Sequence, residues 1–279
     1  MKDFGFIGCG NMGGSLARAA SRGRGVGGVL LADHFPAKAQ ELAGELQGGA
    51  PTVLAVDNTA AASQADYLFL GVKPHMMAGM LESIRPTLKQ RAEAGERFVL
   101  VSMAAGLSIA RIREMAGEDW PVIRIMPNTP CAIGQGMLLC AAADVTEEEK
   151  AAFCEGMCAA GRLDWLEESL IDAGSAVSGC GPAFVYLFIE ALADGGVECG
   201  LPRAKAMEYA AQTLLGAAGL VLESGKHPGE LKDAVCSPGG STIAGVHALE
   251  KGGMRAAVMD AVTAAAARGR QLGEENAKK

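Results

Sequence analysis

The sequence has no lysine- or arginine-rich stripe. Its 279 residues carry 25 Lys and Arg against 32 Asp and Glu, a formal net charge of −7, which argues against nucleic acid as a partner. It has no CxxC pair. The eight cysteines are scattered, and Cys154 and Cys158 stand four apart with no histidine near them in sequence. No metal site is therefore expected, and the thiols read as small buried hydrophobes in a reducing, cytoplasmic setting. No apolar run reads as reaching the ~18 residues of a membrane span, so no membrane partner is expected. The opening MKDFGFIGCGNMGG has neither the apolar core nor the cleavage site of a secretory signal. No repeat of roughly 20–50 residues is present. What remains is 49% apolar and 20% charged, the composition of a compact, well-buried chain long enough for one large domain or two ordinary ones.

The first half alternates β-rich runs with helical stretches. FGFIG leads into a helix from Asn11, and VLLAD into one over Pro36–Leu46. DYLFLGV precedes PHMMAGMLESIRPTL, RFVLVSMAAG precedes SIARIREMAG, and VIRIM and GMLLCAA read as later strands. Thr146 with Glu149 fits a capping box that opens a helix running to Cys158. Such alternation, with nearly continuous apolar strands, implies a parallel sheet covered on both faces. After Asp164 the pattern is helical only: Pro182–Gly195, Pro202–Glu223, Pro228–Ala234, Ser241–Glu250 and Met254–Leu272, with ENAKK as a solvated tail. GPAFVYLFIEALADGG is apolar almost all round, and a partner subunit is the natural way to bury it. The expected fold is α/β, an N-terminal Rossmann-type doubly wound parallel sheet over 1–163 with a C-terminal all-helical substrate-binding and dimerisation domain over 164–279.

Gly8-Cys9-Gly10-Asn11-Met12-Gly13 is a GxGxxG, weak evidence alone. Here a strand precedes it, a helix follows, and the next strand ends at Asp33, twenty residues after Gly13. That is the context of a dinucleotide fingerprint: tight turn, close approach to pyrophosphate, helix–strand contact, then a ribose reader. Asp33 suits a free 2′-hydroxyl and repels a 2′-phosphate, while His34, Lys38 and Arg22 or Arg24 offer charge that could offset it. Val72, Lys73 and Pro74 leave the carboxyl end of one strand, Ala105 and Gly106 in MAAGL that of the next, and MPNTP, Met126–Pro130, that of a later one. These exits frame a nicotinamide or are simply turns.

In the helical half, CSPGGSTIAG, Cys236–Gly245, interrupts long alanine- and leucine-rich runs. Gly239 and Gly240 leave backbone N–H groups unshielded, and Ser241 or Thr242 is a favoured N-cap. The segment reads as a capped turn between helices or as an anion cradle at a helix start. A hydroxyacid dehydrogenase needs a base for the hydroxyl proton. One such family carries G-x-x-G-x-G-x-x-x-K, but here Gly179 and Gly181 are followed by Val185 at the lysine position. Reduction of a protonated C=N bond needs no such base.

These stretches, with GVKP, RIMPNTP, VSGCGPAFVYLFIEALADGGVECGLPRAKA and LLGAAGLVLESGKHPGELKDAVCSPGGSTIAGVHALE, resemble the pyrroline-5-carboxylate reductase family over nearly the whole chain. The resemblance implies an NADPH- or NADH-dependent oxidoreductase that reduces Δ1-pyrroline-5-carboxylate to L-proline, the last step of proline synthesis. It implies a homodimer with interlocked helical domains, and often a ring of five dimers. It places the substrate carboxylate in the loop Ser237, Gly239, Gly240, Ser241 and Thr242, on the N–H groups of Gly240, Ser241 and Thr242. By the same resemblance Thr242 reaches the ring nitrogen, Glu168 lies beside the substrate and Asn58 at the adenosine ribose. The charge of Lys73 opposes a cationic imine, so Lys73 fits better as a positioner near the cofactor phosphates or the substrate carboxylate than as the proton source. Two departures stand out. Ser241 occupies a position that is Thr in many members, and near Asp33 and His34, where many members have a small hydroxyl residue and an arginine suited to NADPH, Ala32 and His34 do not supply that pair. A reductase of a related cyclic imine such as piperideine carboxylate, and a non-catalytic dinucleotide-binding protein, remain alternative readings.

Overall fold

The computed structural model describes residues 1–47 and 51–277. Eight strands form one sheet: β1 Lys2–Ile7, β2 Val26–Ala32, β3 Thr52–Ala55, β4 Tyr67–Leu70, β5 Val99–Ser102, β6 Val122–Met126, β7 Gly136–Ala143 and β8 Gly161–Trp165, in the order β3-β2-β1-β4-β5-β6-β7-β8. All neighbours pair in parallel except β6 with β7, which run antiparallel. The expectation of a wholly parallel sheet fails only there. The connection over 127–135 holds just a 3-10 turn, Thr129–Ile133, too little chain for a helical crossover.

Seven helices cover the two faces: α1 Asn11–Ala20, α2 Pro36–Leu46, α3 Asn58–Gln64, α4 Met77–Glu93, α5 Ile109–Ala116, α6 Glu147–Met157 and α7 Ile171–Ser178. The period-two alternation of each strand sorts them. Phe4, Phe6, Tyr67, Phe69, Val99 and Val101 face α1, α2 and α6, where Phe6 and Phe69 stack at 4.3 Å and Phe69 stacks on Phe153 at 6.0 Å. Ile7, Leu68, Leu70 and Leu100 face α3, α4, α5 and α7. Each such fully buried side chain contributes ~1.5–3 kcal/mol. The capping box is present: Glu149 N–H donates to Thr146 Oγ1 at 3.2 Å and Thr146 N–H to Glu149 Oε2 at 2.8 Å. Arg97 then grips both oxygens of Glu149, at 2.7 and 3.0 Å, and with Thr146 holds that carboxyl below its ordinary range.

Five further helices follow: α8 Gly181–Glu198, α9 Arg203–Ser224, α10 Pro228–Ala234, α11 Ser241–Lys251 and α12 Met254–Ala277. The chain divides by packing into two units, Met1–Gly179 with Ala265–Lys279, and Cys180–Ala264. The boundary expected at 163/164 falls inside β8, and α7, whose Ile171 is buried against the sheet, stays with the first unit. ENAKK is not wholly a tail: its first three residues belong to α12, and its last two lie outside the described residues. The thiols also differ from expectation. Cys131 and Cys140 are buried, Cys180 and Cys199 are exposed in the single chain, and all eight are free.

The second unit has a small core, Ala193, Ala206 and Ala210 with Ile189 and Val197 packed on it. α8, expected to be buried against a partner subunit, exposes Tyr186 at 59% and Leu187 at 66% in the single chain, and α9 exposes Leu215 at 61%. One stretch, 168–198, is long and apolar enough to cross a membrane by length and composition alone, contrary to the reading that no run qualifies. It is broken at Gly179–Cys180 into α7 and α8. An apolar face of this extent marks an association surface, and the same all-round apolarity that suggested a partner subunit now has its uncovered face. In sedimentation velocity the parent chain is expected to run as a dimer or larger, and Leu187→Glu, which places a charge in that face, to give monomer or aggregate. A parent that sediments as a monomer would refute this.

Candidate functional site

The strand order reverses between β1 and β4, and their carboxyl ends diverge there. Gly8 follows β1 with φ +109°, and a Cβ on it would lie 2.6 Å from Gly71 O. The contact is locked by Gly8 N–H donating to Ala32 O at 2.7 Å and Gly71 N–H to Ile7 O at 2.8 Å. A Cβ on Gly13 would come within 2.0 Å of Gly8 O, whereas one on Gly10 would meet nothing within 4 Å. Gly10 is the N-cap of α1 and no side chain caps it. The three glycines thus divide the labour of a fingerprint: a tight turn at Gly8, open approach to free N–H groups at Gly10, close helix–strand packing at Gly13. The residues present fit a dinucleotide pyrophosphate.

Cys9 and Asp33 tie this loop to the end of β2. Cys9 N–H donates to Asp33 Oδ2 at 2.8 Å, and Phe35 N–H donates to Oδ1 at 2.9 Å. Burial, helped by the Asp33 charge, pushes the Cys9 thiol up to about 12. Asp33 and Asn58 line one cavity of about 590 Å³, with Pro36, Gln40, Asp57 and Thr59. Asp57 caps α3, accepting from Ala60 N–H at 2.7 Å. Neither β3 nor α3 stands out in the sequence, yet the segment DNT, an N-cap residue before an alanine run, held the signal for this wall. Arg22 and Arg24 precede β2 and so lie at its amino end, away from Asp33, which overturns the expectation that they offset its charge.

Val72, Lys73 and Pro74 leave β4. Lys73 is exposed, extended at φ −65° and ψ 150°, and makes no ion pair among the described residues. Ala105 and Gly106 leave β5. Gly106 has φ +72°, and a Cβ there would meet Asn276 Nδ2 at 2.9 Å and Gly273 N at 3.2 Å, so the end of α12 packs on this loop. The third exit does not frame an open site. Asn128 is 9% exposed and spent on backbone, donating to Ser178 O at 2.9 Å and accepting from Met137 N–H at 2.9 Å.

Glu168 Oε1 accepts from Ile109 N–H at 2.7 Å, at the first turn of α5, and from Arg124 Nη1 at 3.2 Å. Arg124 Nη2 also donates to Asp172 Oδ1 at 2.8 Å. Sequence reading missed Arg124 and Asp172. This trio ties β6, the start of α5 and α7 together just beyond the Ala105-Gly106 loop.

Ser237, Gly239, Gly240, Ser241 and Thr242 belong to the second unit. The N-cap of α11 is Gly240, with φ −76° and ψ 166° and no side-chain cap, not Ser241 or Thr242 as the sequence suggested. Gly239 has φ +68°, and Gly240 N–H already donates to Ser237 O at 3.0 Å. The N–H groups without a helical partner are therefore those of Ser241, Thr242 and Ile243, one place further along than expected. A Cβ on Gly240 would strike Ser237 Oγ.

A parallel nucleotide-binding sheet with this fingerprint, followed by an all-helical association unit, defines an NAD(P)-type oxidoreductase. Residues 168–272 match the pyrroline-5-carboxylate reductase dimerisation family, and residues 3–106 match the family described as NADP oxidoreductase, coenzyme F420-dependent. The chain is 43% identical over 275 residues to pyrroline-5-carboxylate reductase of Glycine max, covering 96% of this chain and 95% of that one. It is 40% identical to human pyrroline-5-carboxylate reductase 2, covering 96% and 83%. Among solved structures, pyrroline carboxylate reductase of Plasmodium falciparum with NADP bound superposes with TM-score 0.81 at 30% identity, covering 98% of each chain. The Coxiella burnetii pyrroline-5-carboxylate reductase gives 0.86 at 29%, covering 97% and 98%. The chain belongs to the pyrroline-5-carboxylate reductase family.

At pH 8 a thiol titrating near 12 is only about one part in ten thousand thiolate, and the thiolate is the reacting form. Iodoacetamide at pH 8 is therefore expected to spare Cys9 in the folded chain and label it after unfolding, as read by peptide mass spectrometry.

Proposed function

We propose that the chain reduces the C=N bond of Δ1-pyrroline-5-carboxylate to L-proline with NADPH or NADH. The observation that carries the reading is the uncapped start of α11 behind Gly239-Gly240, an anion cradle that a dinucleotide-binding protein without catalysis has no use for. The nicotinamide cofactor, when bound, supplies the hydride. The chain's own residues do the rest. Gly8 and Cys9 form the turn beneath the pyrophosphate, their own N–H groups held by Ala32 O and Asp33, Gly10, Asn11, Met12 and Gly13 present N–H groups to it, Asp33, His34 and Asn58 serve the adenosine ribose, and Val72, Lys73, Pro74, Ala105 and Gly106 border the nicotinamide end. Ser237 and the N–H groups of Ser241, Thr242 and Ile243 hold the substrate carboxylate at the positive end of α11.

Thr242 Oγ1 accepts from the N–H of the protonated imine and so orients its C=N carbon. No group is needed to remove a proton, which agrees with Val185 standing where a lysine base would be. Lys73 acts as a positioner for anionic groups, since its charge opposes a cationic imine. Glu168 acts mainly by fixing the start of α5, because its Oε1 is already engaged by Ile109 and Arg124. The unit Met1–Gly179 with Ala265–Lys279 serves the cofactor, and Cys180–Ala264 serves the substrate and dimerisation. The eight free thiols support a reducing, cytoplasmic setting. Assembly of dimers into rings of five is carried over from the family resemblance, and light scattering on the intact assembly tests it.

The direct test is Thr242. A lost hydrogen bond to a charged group is worth ~1.5–3 kcal/mol, so Thr242→Ala is expected to lower kcat/KM for the imine by roughly ten- to a hundredfold. Thr242→Ser is expected to recover much of that, with KM for the cofactor unchanged. No side chain caps α11, so melting temperature should barely move. An alanine variant as active as the parent at subsaturating imine would remove Thr242 from the mechanism, and turnover of piperideine carboxylate in preference to pyrroline would move the assignment to the related imine.

A further inference from the structure

We infer that Asp33 makes this chain select NADH over NADPH, by holding a fixed, unneutralised carboxylate in the cavity at the carboxyl end of β2. The inference rests on the reductase reading above, and family membership does not give its direction, since a family member has been solved with NADP bound.

Three observations carry it. The first is that the carboxylate cannot turn away. Oδ2 is held by Cys9 N–H at 2.8 Å and Oδ1 by Phe35 N–H at 2.9 Å. Each oxygen keeps a second lone-pair position, so the group remains able to accept from a ribose hydroxyl while its charge stays in place. An added 2′-phosphate brings two negative charges and only acceptor oxygens, and meets repulsion rather than a donor.

The second observation is the cavity wall. Of the ten residues lining the 590 Å³ cavity, Asp33 and Asp57 are acidic, and none is lysine or arginine. Asp57 is likewise held, accepting from Ala60 N–H at 2.7 Å. A site for a 2′-phosphate needs the opposite sign.

The third is that the nearby cations are engaged elsewhere. Lys38 Nζ sits over the Phe35 ring, 5.3 Å from its centroid. Arg18 pairs with Glu45 at 2.5 Å, and Arg22 Nε donates to Arg18 O at 3.1 Å. Arg22 and Arg24 stand before β2, whose seven residues carry the chain roughly 20 Å to Asp33 at about 3.3 Å per residue.

The test is binding without imine, followed by nicotinamide fluorescence on the purified full chain at pH 7.5 with NADH and NADPH in turn. The parent is expected to bind NADH at least tenfold more tightly than NADPH. Asp33→Asn, which removes the charge and keeps one acceptor, should shift the ratio of the two dissociation constants at least tenfold toward NADPH. His34→Arg, which adds a cation and leaves Asp33 tied, should raise NADPH affinity several-fold. It carries the test with the parent ratio if the Asp33 variant does not fold. A parent that binds NADPH as tightly as NADH overturns the inference. So does a folded Asp33→Asn variant with an unchanged ratio. Selective NADH binding in a chain that reduces no pyrroline would overturn the functional reading and leave this one standing. Equal use of both cofactors in pyrroline reduction would overturn this one alone.

Discussion

The backbone contact between Gly8 and Gly71 is the constraint from which the nucleotide half follows. β1 and β4 are parallel neighbours, and the chain leaves them toward opposite faces, Gly8 into α1 and Gly71 toward α4. With no Cβ on either residue, the two exits can start from touching peptides. The sheet therefore opens a crevice at its head, and around that opening stand the free N–H groups at the start of α1, the Asp33 carboxylate beyond β2, the Lys73 turn beyond β4 and the Ala105-Gly106 loop beyond β5. One peptide-to-peptide contact thus fixes where the fold opens.

The two units differ in how they meet the hydrophobic requirement. The sheet unit is finished in itself, with aromatic rings of Phe4, Phe6, Phe69 and Phe153 packed between strands and helices. The helical unit buries little beyond three alanines and leaves Tyr186, Leu187 and Leu215 in water. A 24-residue helix or a 22-residue one is far longer than so small a core can stabilise, since most helical stability comes from packing an apolar face. Association is therefore part of how this unit folds as well as how it functions.

Much of this was legible in the sequence because the strands are nearly continuous apolar runs and the helices carry clean starts, such as Thr146 with Glu149 or Pro36 at the first turn of α2. The elements that escaped notice lack those signals. β3 is the short and mostly exposed TVLA, α3 is an alanine run with no apolar period, and β8, GRLDW, alternates half-exposed and exposed residues on the sheet's edge. The antiparallel β7 was invisible because an apolar run does not encode its direction. Among site residues, spacing found Asp33 but could not show that both its oxygens are held by main-chain N–H groups, one of them 24 positions away. Nor could it show that Asn128 is tied to the backbone of Ser178 and Met137, or that Glu168 joins Ile109 N–H to Arg124. Those bonds join segments far apart in sequence and exist only once the sheet has formed.

Helix α12 begins in one unit and ends in the other, with Gly273 and Asn276 closing over the Gly106 loop. The nucleotide-binding unit is thus interrupted in sequence by the whole helical unit. During synthesis, domains close as their residues emerge, but here residues 265–277 reach the ribosome exit only after α8 to α11. The Gly106 loop therefore waits uncovered through the making of some eighty-five intervening residues, 180–264. Completion of the cofactor side is timed by the partner-binding side, so a nascent chain does not finish its nucleotide unit before the surface that joins two copies has been made.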